Sequence, residues 1–140
     1  MKHQNGFTLL EVIFVLGIWS IIILISAPLN VTIVEKQEEK QFLETFKFDV
    51  LYMQNRSLLT NGYIKLTFYE ESYAIHEDRK RLIKRDIPSN WQVNKWNLPF
   101  LSFDHEGTIR QPGTFNIKTN LTNYLIVCPL GKGRCYIVEQ

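Results

Sequence analysis

The chain has 140 residues, 45% of them hydrophobic and 21% charged, with a formal net charge of +2. That length holds one domain plus one membrane segment, and that composition excludes a disordered chain. So small a net charge does not specify a polyanionic partner. The two cysteines, Cys128 and Cys135, are too few for a disulfide framework and have no Cys/His cluster of zinc spacing beside them.

The first predicted element is an apolar helix. From Val12 to Ala27 the only non-apolar residues are Gly17, Ser20 and Ser26. A helix from Phe7 to Leu29 reaches roughly 34 Å, enough to cross a hydrocarbon core of ~30 Å. Lys2 and His3 precede it and Glu35, Glu38 and Glu39 follow it. This asymmetry predicts a single pass with a cytoplasmic N-terminus and residues 30–140 outside. A cleaved secretory signal is disfavoured, because Leu24, Ile25 and Pro28 spoil the cleavage sites near Ser26 and Ala27. Glu11 is the anomaly, since a charge within a span is costly at its centre and less so near the interface. Placement in the first turn lets Glu11 reach the headgroups, and a positive partner would favour it further.

The run Gly6-Phe7-Thr8-Leu9-Leu10-Glu11 resembles the processing signal of type IV pilins and pseudopilins. The resemblance implies cleavage by a prepilin peptidase after Gly6, N-methylation of the new terminus at Phe7, and a glutamate fifth in the mature chain. Pro28 falls where many pilins place a helix-kinking proline. Cleavage would leave a positive amine on Phe7 at the membrane boundary. Glu11 of one subunit would neutralise the amine of its neighbour, making Phe7 and Glu11 assembly determinants. Gly6, without a side chain, suits a protease that must approach the backbone closely.

Between Leu29 and Asn61 no Pro or Gly interrupts the chain, and Phe42, Phe46, Val50 and Met53 recur at helical spacing with Leu43 beside them. One long helix from about Thr8 to Thr60 is expected, stopped by Asn61-Gly62, its aromatic stripe packed on the chain's own sheet. After Gly62 the pattern alternates, with Ile64, Leu66 and Phe68 first. Further strands are expected at Tyr73–His76, Arg81–Asp86, Trp91–Val93, Leu98–Phe103, Thr114–Thr119, Tyr124–Cys128 and Cys135–Val138. Gly107, Pro112-Gly113 and Gly131-Lys132-Gly133 mark turns. The fold class is therefore α+β, a long N-terminal transmembrane helix packed on a small antiparallel sheet domain, as the resemblance also implies. Its parts are a leader (1–6), a membrane and assembly helix (7–29), an extracytoplasmic amphipathic helix (30–61) and the sheet domain (62–140).

If Leu130–Gly133 form a hairpin loop, Cys128 and Cys135 face each other on adjacent strands within disulfide reach; free buried thiols are the alternative. Little else looks catalytic. His76 and His105 stand alone, Asp104-His105-Glu106 reads as a turn before Gly107, and no cofactor or metal is expected. The stretch 77–86 places Arg79, Lys80, Arg81, Lys84 and Arg85 within seven residues, between Glu77, Asp78 and Asp86. It reads either as a solvated hairpin or as a phosphate contact, aided by Trp91 and Trp96 if those are exposed.

Beyond the signal, size, the stretch 103–119 and the closing residues 130–140 are similar to minor competence pseudopilins of Gram-positive bacteria. The resemblance implies a non-enzymatic subunit of a transformation pseudopilus at the membrane and cell surface. Its partners would be other pseudopilins, the prepilin peptidase, the assembly machinery and DNA, met directly or through the filament. The rivals are a type II secretion or type IV pilus minor subunit, and a membrane-anchored enzyme or receptor that keeps residues 1–6.

Overall fold

The computed structural model describes residues 7–95, 97–131 and 134–140, without the side chains of 27–30. It divides into two compact units, Met1–Glu38 and Glu39–Gln140. One helix, α1 (Leu9–Leu59), contributes to both.

In the first unit α1 starts where its sequence can satisfy the first turn. Thr8 precedes the helix, and its Oγ1 accepts the Glu11 N–H at 3.3 Å while its carbonyl accepts the Val12 N–H at 3.3 Å. Threonine with a glutamate three residues on is the sequence of a capping box, here with the threonine half formed. The apolar side chains from Leu9 to Ile25 are all exposed. Ser20 and Ser26 turn their hydroxyls inward, donating to the carbonyls of Leu16 (2.9 Å) and Ile23 (3.1 Å). By length and composition this segment can cross a membrane. Position 28 lies inside α1.

The second unit is the C-terminal part of α1 with two four-stranded antiparallel sheets, which makes the fold class α+β. The strands are β1 (Ile64–Phe68), β2 (Ser72–Glu77), β3 (Lys80–Asp86), β4 (Gln92–Asn94), β5 (Phe100–Phe103), β6 (Gly113–Lys118), β7 (Asn123–Cys128) and β8 (Tyr136–Glu139). One sheet runs β3-β2-β1-β5 and the other β4-β6-β7-β8. The single sheet domain expected from the alternating pattern is thus two sheets. The reason is that β5 returns to pair with β1, Ile64 opposite Phe103, while β4 pairs forward with β6. Ile109 bridges both Phe103 and Gly131 at the junction.

Phe46 holds the core together. Its ring lies 6.1 Å from Phe68 and 5.5 Å from Tyr73 in the first sheet, and 5.6 Å from Phe115 in the second. Val50 and Met53 continue the buried stripe. Trp91 is buried too, edge-on to Phe42 at 5.0 Å, which removes it from the exposed aromatics. Trp96 lies outside the described residues.

Candidate functional site

Gly6 lies outside the described residues, as do Lys132 and Gly133 in the loop before Cys135. Phe7 is exposed just ahead of the helix, and Glu11 is exposed in its first turn. A helix N-terminus carries roughly half a positive charge, so a carboxylate there is stabilised and a free amine on Phe7 is not. Thr8, the cap that fixes this turn, was not singled out from the sequence; a threonine three residues before a glutamate was the available signal.

Two buried carboxylates on α1 form the second constellation. Asp49 is only 4% exposed and accepts from the Tyr73 hydroxyl (2.8 Å, β2) and from Arg85 (Nε 3.1 Å and a second guanidinium nitrogen 3.3 Å, β3). Glu39, 2% exposed, accepts from the Thr119 hydroxyl and from Tyr124 (2.9 Å, β7). Ten residues separate the two, which turns them about 80° apart around the helix axis. Asp49 engages the first sheet and Glu39 the second. Burial, then the hydrogen bond to Asp49, raises the Tyr73 pKa far above its ordinary value. Burial also raises that of Tyr124, and the Asp49 hydrogen bond raises that of Arg85. Neither acid was singled out from the sequence. The only signal was an aspartate directly beside the apolar stripe of Phe46, Val50 and Met53.

The basic run is taken apart by the fold. In β3, Arg85 pairs across to Tyr73 and turns to Asp49, on the helix side of the sheet. Lys84 points the other way and pairs with Asp86 at 3.1 Å. A register shift after Ile75 puts Arg81 opposite His76 and Lys80 opposite Glu77. Glu77 is engaged by Thr60 (2.6 Å) and Arg56 (3.0 Å), which hold its pKa below the usual carboxylate range. Arg79 sits in the β2–β3 turn beside Asp78, whose φ is 52°. The five cations therefore do not share one face.

Cys128 and Cys135 are joined in a disulfide with Cα atoms 4.2 Å apart, one step beyond the Val127–Tyr136 pair of β7 and β8. Asp104 closes the turn after β5: its carboxylate accepts the N–H groups of Glu106 (2.9 Å) and Thr108 (2.8 Å), which lowers its pKa. Gly107 takes the positive φ of 72° that this turn needs. Among the described residues no group of three His, Cys, Asp or Glu side chains is placed to hold a metal ion.

No curated protein and no solved structure matches this chain. Residues 1–27 do match a family model described as the prokaryotic N-terminal methylation motif, so the chain carries the N-terminal signal of type IV pilin-like proteins.

Proposed function

We propose that this chain is a minor pseudopilin, a structural subunit of a transformation pseudopilus that brings external DNA to the membrane. The observation that carries a filament subunit is the methylation motif running directly into a capped helix whose apolar side chains from Leu9 to Ile25 are exposed, with Glu11 in its first turn. In this reading prepilin peptidase cuts after Gly6, and the peptidase and assembly machinery act at the membrane. Glu11 then meets the Phe7 amine of an adjacent subunit, and in an apolar bundle that pairing sets the axial register. The disulfide and the carboxylate contacts of Glu39 and Asp49 brace the domain that the helix carries. The transformation assignment rests on the sequence similarity of residues 103–119 and 130–140 to competence pseudopilins.

The test is Glu11→Gln in the native host. The substituted protein should accumulate in the membrane and be cleaved, yet enter sheared filaments at a tenth of the wild-type level or less. Normal incorporation would remove the ionic contact from the assembly mechanism. Deletion of the gene should abolish transformation and spare protein secretion; the reverse pattern would assign the subunit to a secretion system.

A further inference from the structure

Strand β8 ends the second sheet, and among the described residues β7 is its one strand partner. The Gln140 N–H donates to the Asn123 carbonyl at 2.9 Å, and antiparallel bonding alternates from there. Val138 and Tyr136 therefore bond β7, while Ile137 and Glu139 turn their backbone N–H and C=O groups to the open edge. Sheet edges are commonly blunted by lysine, proline or a bulge. The segment Tyr136-Ile137-Val138-Glu139 has none of these and keeps an unbroken register.

Beside that strand lies a cavity of about 500 Å³, within the size range of ligand sites. Its floor is the core itself, Phe46, Val50, Phe103 and Ile126, and Ile137 of β8 forms one wall. Phe48 and Leu51 of α1 line it too, and the Phe48 ring is left 68% exposed. The ends of the groove carry opposite charge. Tyr124 binds Glu39 and lies opposite Glu139, which places Glu139 and the nearby Glu44 towards one end. Gln54 binds the Gly107 carbonyl and Ile109 binds that of Gly131, which places Arg134 towards the other. Lys47 lies between them on α1. Among the described residues Glu44, Lys47, Arg134 and Glu139 make no ion pair.

We infer that this groove receives an extended segment of another polypeptide, added to β8 as an antiparallel strand. The open edge selects a backbone, because a hydrocarbon ligand would fill the cavity and leave those N–H and C=O groups unpaired. A residue placed opposite Ile137 shares its face, so every second side chain of the segment enters the cavity and is apolar. Charge sets the rest. The N-terminal end of the segment, beside Glu44 and Glu139, is basic, and its C-terminal end, beside Arg134, is acidic. The β8 strand of a second copy has the same charge order. Pairing two β8 strands about a two-fold axis, however, would set residues 39–59 of the two copies antiparallel, against the common direction of chains anchored in one membrane.

The experiment uses the full chain in nanodiscs of zwitterionic lipid, titrated with the peptide Lys-Val-Thr-Val-Thr-Val-Asp capped at both ends. Binding should saturate, and the bound peptide should slow deuterium exchange at the Ile137 and Glu139 amides by about 10-fold or more. The valines that enter the cavity also aim their N–H groups at β8, whereas the threonine N–H groups point away. N-methylation of the valines should therefore weaken binding about 10-fold or more, and N-methylation of the threonines should change it by less than about 2-fold. Arg134→Glu should weaken binding about 10-fold, and a peptide ending in Lys in place of Asp should recover it, which separates loss of charge from loss of fold. No saturable binding, or equal losses from the two methylations, would overturn the strand site. Protection of the same amides that grows with protein concentration in the absence of peptide would put a second copy in the groove and overturn the partner assigned here. None of these readouts involves filament assembly, so this proposal and the filament reading stand or fall separately.

Discussion

Tyr73 shows how one side chain couples burial, a polar contact and pH. Its ring packs against Phe42, Phe46 and Phe68, and its hydroxyl donates to a buried carboxylate, so ionisation would place two negative charges together in an apolar site. The folded state therefore keeps the Tyr73 proton to a much higher pH than the unfolded chain does. A raised pKa stabilises fully below the unfolded value of about 10 and progressively less above it. Stability should thus fall as pH rises beyond about 10. Tyr73→Phe should cost about 1–2 kcal/mol at neutral pH and flatten that alkaline decline, both read from denaturant unfolding of the detergent-solubilised chain. An unchanged alkaline slope would mean that other groups govern it. Asp49 keeps Arg85 in this variant, but Arg85 is 46% exposed and screened by water, so it substitutes only weakly for the lost hydroxyl.

At the level of elements, what was legible from sequence was what neighbouring residues decide. The uninterrupted helix followed from the absence of Pro and Gly between Leu29 and Asn61, and the buried face from the spacing of Phe46, Val50 and Met53. Strands β1, β6 and β7 follow the alternation closely. Pairing was not legible, because which strand meets β1 is a long-range choice; β5 wins it across the intervening β2–β4 segment. The two helix acids stayed hidden for a related reason. Glu39 sits in a run that reads as solvated until Thr119 and Tyr124 are brought to it. The dispersal of the basic cluster was not legible either, because strand alternation and one bulge split charges that are adjacent in sequence. Gly113 tests the packing of the second sheet. A Cβ there would lie 2.8 Å from Leu98 Cβ, closer than carbon atoms tolerate, and Leu98 is buried. Gly113→Ala should cost about 1–3 kcal/mol in the same unfolding assay, and a neutral result would mean that the Leu98 segment moves freely.

Taken as a whole, the molecule joins two units with opposite demands on their surroundings. Residues 39–140 build a buried apolar core of their own, whereas every apolar side chain from Leu9 to Ile25 is exposed. Such a segment requires lipid or other helices around it. Residues 1–27 match the prokaryotic N-terminal methylation motif, and the proposed filament role supplies such surroundings through a processed terminus and neighbouring helices. In the proposed mechanism that processing exposes a new amine at Phe7 for Glu11 of a neighbouring subunit to meet. Intact-mass and N-terminal peptide analysis of the protein purified from its native membrane tests this most directly. The mature chain should begin at N-methylated Phe7, with residues 1–6 gone; working protein that still begins at Met1 would contradict it.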